Sequence, residues 1–437
     1  MRCGLRLIPI LLSTAMLLAG CSSAEKLLGG ITGEKDVVLP GKRESILSSG
    51  GDDLAIDKSN EPIVIPAAET NPSWPQPGGS ATNALGNLAL GGSLSRAWSA
   101  TAGEGSTKEQ RLVASPIVVG GAIYVLDATN RISAISTSGG KQLWRVSLAP
   151  EKKSDSLAFG GGLASDGRNI YATSVFGDAI ALDASSGKPV WRKKMGTPLR
   201  AAPTVSDGVV FFTGSGNAVY ALRTSDGNEL WNYKGTGGGT SVSGSPSPAV
   251  GSGFVVIPST TGEVSAYTAN DGLQSWSDAL SAIDPGSSAA NIGAIAGRPV
   301  IDGGQVFAIS NSGKMGAFDL STGERQWTRD ISGTQTPWVA GDYVFVIAHG
   351  KNLMALSRRT GGVRWSVELP GKQWAGPVLG GGRLLMVSDE GKLASVSAQT
   401  GQIVGTTDIG DKLYVAPIIA NGTVYLLTDS ATLIAMR

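Results

Sequence analysis

Short apolar runs separated by glycine-rich turns dominate the chain, and residues 337–365 show the unit most clearly. "PWVAG" and "YVFVIA" read as two strands, a "HGKN" turn leads to "LMALS", and "RRTGG" turns into "VRWSVEL". Brief alternating runs with this turn chemistry between them predict consecutive antiparallel hairpins, strands A to D of one four-stranded unit.

The unit recurs along the chain. A glycine is followed four positions later by tryptophan at Gly140–Trp144, Gly187–Trp191, Gly227–Trp231, Gly272–Trp276, Gly323–Trp327 and Gly361–Trp365. In a seventh unit Gly401 leads to Gly405, and the tryptophan is lost. Upstream stands a proline at 116, 203, 248, 299, 337, 377 and 417, with Leu163 in its place in the second unit. Eight positions after it comes an aromatic or aliphatic residue: Tyr124, Tyr171, Phe211, Val256, Phe307, Phe345, Leu385 and Tyr425. The proline-to-tryptophan interval is 28 in all seven complete units, whereas the connectors to the next proline run 18, 19, 12, 17, 23, 10, 12 and 12 residues. The resulting period of 38–51 residues with short strands is that of propeller blades.

Strand D positions stand at 98, 144, 191, 231, 276, 327, 365 and 405, which makes eight. The unit opening at Pro417 reaches strand C before Arg437, and "LSRAWSA" (94–100) offers a strand D with no A, B or C before it. The two fragments complete each other. The expected fold is all-β: an eight-bladed propeller of four-stranded antiparallel blades, closed by an N-terminal strand that completes the last blade and leaves no open end. Trp98, Trp144, Trp191, Trp231, Trp276, Trp327 and Trp365 read as structural, each expected to pack across the turn of its own blade and against the neighbouring blade. Asp183 and Asp319, just ahead of the turn, are expected to cap it through Asx-type hydrogen bonds.

The N-terminus has a different character. Arg2 and Arg6 precede "LIPILLSTAMLLA" (7–19), an apolar run long enough for a signal-peptide core and too short to span a membrane. It ends in Leu18-Ala19-Gly20-Cys21, which resembles a bacterial lipobox and makes Cys21 the lipidation candidate. Residues 1–20 are thus expected to be a lipoprotein signal peptide, 21–70 a lipid-anchored flexible linker and 71–437 the propeller. Within the linker, 37–47 is a candidate docking segment. A tether with local order is the preferred reading of this stretch.

Charge and composition narrow the function. The chain carries 36 basic and 35 acidic residues, and removal of Arg2 and Arg6 would leave a formal charge of −1. A near-neutral chain lacks the concentrated basic surface that nucleic acid requires. The only two cysteines, Cys3 and Cys21, lie outside the repeat, and His349 is the only histidine. Neither a cysteine nucleophile, a histidine relay nor a transition-metal cluster can be built in the repeat from this inventory. "DDLAID" (52–57) lacks the plan of a calcium loop, and "GSGN" (214–217) and "SDEGK" (388–392) read as hairpin turns. No catalytic residue, cofactor or metal is expected. Length variation confined to the connectors from strand D to the next strand A marks one face as the expected binding face.

"IALDASSGKPVW" (180–191), "YALRTSDGNELW" (220–231) and "GAFDLSTGERQW" (316–327) resemble the PQQ-type propeller repeat, and "NPSWPQPGG" (71–79) resembles the opening of such propellers. Two branches carry it, the quinoprotein dehydrogenases and the BamB family of outer-membrane lipoproteins. The lipobox, the length and the lack of an added domain resemble the BamB family. That resemblance implies a non-catalytic scaffold at the periplasmic face of the outer membrane. It implies binding to the POTRA domains of BamA and other Bam subunits, and help in assembling unfolded outer-membrane proteins. Ser22 after the lipid-bearing cysteine implies outer-membrane sorting. A family contact site maps onto Leu199 and Arg200 in "TPLRAAP" (197–203), with fewer residues between the pair and "AP" than the family pattern has. The family's Asp-x-Asp is replaced here by Ser243 and Ser245 in "SVSGSPSP" (241–248). The alternative is a quinoprotein dehydrogenase with Ca²⁺ and PQQ at the ring centre, for which strand A offers few acids; Arg298 and Asp302 are its charged exceptions.

Overall fold

In a computed structural model of the chain, the described residues are 56, 62–149, 160–235, 246–280, 294–311 and 313–437. They form eight four-stranded sheets with every neighbouring pair of strands antiparallel. Seven blades are built from consecutive strands. The eighth takes its outermost strand, Arg96–Thr101, from the N-terminal side, paired with Thr432–Met436. The all-β, eight-bladed architecture and its closure are those the repeat predicts. Blades are numbered here from the one that begins with strand A at Ile117–Val119.

The constant spacing of 28 has a simple origin. In blade 1, Ile117 pairs with Tyr124, Tyr124 with Ala134, and Ala134 with Trp144. This row crosses all four strands, and its counterparts recur in the other blades. Blade 3 has Thr204–Phe211–Ala221–Trp231 and blade 8 has Ile418–Tyr425–Ala435–Trp98. The landmark proline immediately precedes the first member of the row and the tryptophan is its last, so three hairpins of fixed length set the interval. Outside blade 2 the A–B hairpins are two-residue turns such as Asn421–Gly422, whose φ of +48° and +66° is the left-handed geometry that matches strand twist.

Alanine in strand C lets large rings meet above it. Tyr124 and Trp144 have ring centroids 5.7 Å apart, and Tyr171–Trp191, Phe211–Trp231, Phe345–Trp365 and Trp98–Tyr425 all lie at 6.0 Å. In blade 4 strand B carries Val256, and Trp276 instead stacks on Phe318 of blade 5 at 5.9 Å. Beside each such tryptophan of blades 1 to 6 the register slips by one residue, a β-bulge that strengthens the local twist.

The tryptophans clamp the ring, but not through their own turns. Each indole lies over the C–D turn of the following blade, and its Nε1–H donates to a carbonyl there at 2.8–3.2 Å: Trp98 to Thr137, Trp144 to Ala184, Trp191 to Thr224, Trp231 to Ala269, Trp276 to Leu320, Trp327 to Arg358 and Trp365 to Ala398. The glycine of that next turn faces the ring. The glycine of each Gly-x-x-x-Trp therefore serves the tryptophan of the preceding blade. This explains Gly405. The following blade joins strand C (Thr432–Met436) to a strand D drawn from Arg96–Thr101, so no C–D turn exists there for an indole to cover. Blade 7's strand D, Ile403–Asp408, is exposed throughout.

Asp183 and Asp319 cap their turns as expected: Asp319 Oδ1 accepts from the amides of Ser321 and Thr322, both at 2.9 Å, and Asp183 Oδ1 from the amide of Ser186 at 2.9 Å.

One feature of the fold lies outside the repeat. Residues 71–90 run as a collar past the inner strand of every blade. Trp74 exchanges two backbone hydrogen bonds with Val118 of blade 1, the Pro75 carbonyl accepts from Ser165 of blade 2, and the Gln76 amide bonds both backbone groups of Val205 of blade 3. Ala81 and Thr82 accept from Val250 and Ile301, Gly86 from the Trp338 indole, Leu88 from Gly381, and Asn71 from Asn421. Strand A pairs only with strand B within its blade, so its inner edge would otherwise be an unpaired row of amides. Trp74, Gln76, Asn83 and Leu88 are buried. Residues 62–70, which the sequence reading assigns to the linker, include buried Ile63 and pair with the collar through Glu69 and Asn87.

Candidate functional site

The connectors from strand D to the next strand A enter the inner strands on one face, and several converge on an axial cavity of about 160 Å³. Its wall is supplied by residues just ahead of strand A, among them Ala114, Arg200, Ser247, Arg298, Thr336 and Val415, and by Pro77 of the collar. The same stretches hold the prolines of the repeat. The invariant part of the unit thus builds the scaffold, while residues next to the proline face the axis.

Leu199 and Arg200 lie in the connector that leads into blade 3, and the structure separates their roles. Leu199 is fully buried in the core shared by blades 2 and 3, alongside Ala164, Tyr171, Val205 and Phe212. Its side chain presents no surface to a partner; it anchors the connector. Arg200 is half-buried and reaches the axial cavity, while its carbonyl accepts from the Gly161 amide at 3.0 Å. The leucine is a contact candidate in sequence only through the family resemblance, and the fold shows that it turns inward.

Arg298 stands immediately before the landmark proline of blade 5, the position that Ala202 holds in blade 3. One guanidinium nitrogen, Nη2, donates to the Pro77 carbonyl at 3.3 Å, and Nε is shut off from solvent without a partner. Desolvation pushes its pKa down to about 10, still well above neutrality, so the group is a cation. The Ser247 hydroxyl, on a residue 3% exposed, also has no partner. Leaving a buried hydroxyl unpaired costs about 1–3 kcal/mol, and a desolvated charge several kcal/mol. Sequence reasoning found Arg298 as a charge where other units carry small residues; nothing in the sequence pointed to Ser247.

Asp302, the other charged exception, does not face the axis. It sits at the A–B turn of blade 5 and pairs with Arg358 Nη1 at 2.5 Å. No aspartate or glutamate lines the axial cavity among the described residues, and no described group of His, Cys, Asp and Glu could hold a metal. The arginines suit the carboxylates of PQQ, but the donor set does not fit the calcium that accompanies the quinone, which requires carboxylate and carbonyl oxygens. His349 sits in an exposed hairpin turn with its Nδ1 bonded to the Ser332 hydroxyl at 2.8 Å.

On the outer rim the bulges place one extra residue beside each tryptophan. In blades 1, 2 and 3 it is Leu143, Val190 and Leu230, all exposed; in blades 4, 5 and 6 it is Ser275, Gln326 and Arg364. Three successive blades therefore show an apolar residue on an unpaired outer strand. Cys21, Ser22, the 37–47 segment, Ser243 and Ser245 lie outside the described residues. Among the described residues no helix is long and apolar enough to cross a membrane.

The family model described as "Outer membrane protein assembly factor BamB" matches residues 91–159, 128–367 and 352–437, which together span the ring from the closing strand onward. The chain belongs to the BamB family. A BamB from Yersinia pestis is 27% identical over 243 residues, 55% of this chain and 62% of that protein; one from Nitrosomonas eutropha is 24% identical over 322 residues, 74% of this chain and 67% of that one. The chain thus spans about three fifths to two thirds of the length of these curated BamB relatives. The crystal structure of BamB from Moraxella catarrhalis superposes with a TM-score of 0.66 at 19% identity, covering 79% of this chain and all of that one. Quinohemoprotein alcohol dehydrogenase from Comamonas testosteroni superposes at 0.69 with 15% identity, covering 84% of this chain and 81% of that one. At such identities these likenesses report the fold, which the BamB family and the dehydrogenases share.

Proposed function

We propose that the chain is a non-catalytic scaffold lipoprotein of the outer-membrane β-barrel assembly machinery. In this reading residues 1–20 are removed, a lipid on Cys21 holds the protein at the periplasmic face of the outer membrane, and 21–70 carry the tether. The propeller binds the POTRA domains of BamA and assists assembly and insertion of outer-membrane proteins. The match of the BamB family model to the whole ring carries the proposal, since its printed description is an assembly factor. Two features support a partner on the early blades: Arg200, set at the axial cavity beside the buried anchor Leu199, and the exposed bulge residues Leu143, Val190 and Leu230.

Affinity purification of the full chain from membranes in mild detergent tests this. BamA is expected to co-purify, and its absence would remove the scaffold reading. Arg200→Ala should weaken recovery of BamA with the ring intact. Leu199→Ala is a poorer probe, since emptying a buried leucine site costs about 2–5 kcal/mol of stability. Cys21→Ala should release the protein from the membrane fraction. Dye-linked oxidation of alcohols or sugars after addition of PQQ and Ca²⁺ is expected to be absent; robust turnover would favour the quinoprotein alternative.

A further inference from the structure

Every blade ends in an edge, the outer side of strand D, where amides and carbonyls face outward. Among the described residues one of these edges has a backbone partner. Ile56, from the stretch read as linker, forms a parallel bridge with Val363, which opens strand D of blade 6. Leu356 of strand C takes the inner side of Val363, so the bridge lies on the outer one. Val363 is fully buried, whereas the residues in its place on the other seven blades, Gln142, Glu229, Arg325 and Ile403 among them, are exposed. Apolar character does not account for the difference: Ile403 opens strand D of the next blade and is 41% exposed.

The chain touches blade 6 again downstream. Ile63 is buried in the core that holds Trp338, Ala340 and Tyr343 of that blade. Pro66 lies against the blade's A–B turn, where a Cβ on Gly341 would stand 2.9 Å from Pro66 Cγ. The Pro66 carbonyl accepts from Asn87 Nδ2 at 2.8 Å, which joins this stretch to the collar. Ile56 and Pro66 thus mark the outer and inner ends of one blade. Successive strands alternate in direction, so the A–B turn at Gly341 and the start of strand D at Val363 share the face opposite the connectors.

We propose that the outer edge of blade 6 is the docking site of the chain's own segment at Ile56, a strap that closes this edge and fastens the incoming chain to the turn face of the ring. The strap takes the place that an added strand from another protein would occupy, so strand addition is barred at blade 6. The chain before Ile56 then joins the ring at this rim, and the connectors with Arg200 lie on the other face. Backbone pairing is the main contact, since Ile56 itself stays 53% exposed. The strap concerns how the chain fastens to its own ring, so it holds or fails independently of the scaffold reading.

Hydrogen exchange followed by mass spectrometry, on the purified full chain in mild detergent without any partner, tests the strap. In the wild type, exchange at Val363 and Arg364 is expected to be slower than at Ile403 and Val404, the corresponding residues of blade 7. A double variant, Ile56→Pro with Asp57→Pro, removes the amide donors of two successive residues and so blocks pairing in either register. It should speed exchange at Val363 and Arg364 about three- to tenfold, the effect of losing one ordinary hydrogen bond. Ile56→Ala keeps the amide and should speed it less. Strand D of blades 5 and 7 should exchange as in the wild type in both variants. Unchanged exchange at Val363 and Arg364 in the double variant, an equal effect of Ile56→Ala, or acceleration spread over all blades would each overturn the proposal.

Discussion

Gly323 lies against the indole of Trp276, one blade back along the ring: a Cβ on Gly323 would stand 2.6 Å from Trp276 Cδ2, and the residue holds φ at +73°. The pair is a single joint between blades 4 and 5, completed by the indole N–H donating to the Leu320 carbonyl at 2.8 Å. Gly323→Ala meets two penalties, left-handed backbone strain of about 1–2 kcal/mol and overpacking of about 1–3 kcal/mol. Trp276→Ala should cost about 3–5 kcal/mol. The two act on one joint, so the double variant should be less destabilised than the sum. Urea denaturation of all three variants checks this, and strict additivity would show that glycine and tryptophan are not partners.

Gly405 supplies the converse case. It stands where six units carry tryptophan, yet a Cβ built on it has no neighbour within 4 Å. An indole here has no following C–D turn to cover. Gly405→Trp is therefore expected to change stability by no more than about 0.5 kcal/mol, the range of ordinary surface substitutions. A gain near the 3–5 kcal/mol assigned to the other tryptophans would mean that they work within their own blades.

These two residues also show what was legible in the sequence. The spacing of 28 between proline and tryptophan reported a cross-strand row such as Ile117–Tyr124–Ala134–Trp144, because hairpin lengths are local and repeated. Blade number and ring closure followed from the same count. The partner of each tryptophan did not, since a repeat looks identical whether an indole covers its own turn or the next. The collar was invisible for the opposite reason: residues 71–90 occur once, without periodicity, and bond mostly through backbone groups that any sequence carries. Arg298 left a trace as a charge at a position otherwise small, but that Ser247 shares its cavity depends on two connectors meeting across the axis. The burial of Leu199 was not legible because a motif gives position along the chain and says nothing about which way a side chain turns.

The turn carboxylates give the ring a defined acid response. Hydrogen bonds from the Ser321 hydroxyl and the Thr322 amide, which outweigh desolvation, push the Asp319 pKa down to about 2, against about 3.9 for a free aspartate. Asp183, Asp226 and Asp271 in the equivalent turns of other blades are also lowered by hydrogen bonds from their own turns. A carboxyl with a depressed folded-state pKa binds its proton more weakly folded than unfolded. Its contribution is therefore complete above about pH 4 and disappears as pH falls toward 2. Asp319→Ala should lower the urea midpoint at pH 6 and flatten its decline between pH 4 and 2 relative to wild type. An unchanged slope in that window would mean that the turn bonds do not favour the ionised form.

The collar makes the last prediction. Trp74 is 2% exposed, stacks on Trp338 with centroids 6.2 Å apart, and bonds Val118 through both backbone groups. Trp74→Ala should cost about 3–5 kcal/mol, as for any large buried ring. A local defect and a loosened ring would give the same total, so the distribution of the effect is what decides. If the collar holds all the inner edges together, amide exchange should accelerate at its other acceptor sites as well, at Ser165, Val250, Ile301 and Gly381, each of which donates to it at 2.7–2.9 Å. These amides belong to blades 2, 4, 5 and 7 and bond collar residues other than Trp74. Trp74→Phe, which keeps a ring against Trp338, should accelerate them less. Hydrogen exchange followed by mass spectrometry reads both variants in one experiment. Faster exchange confined to the neighbourhood of Val118 and Trp338 would show that each collar contact acts alone and that the tryptophan clamps by themselves hold the ring closed.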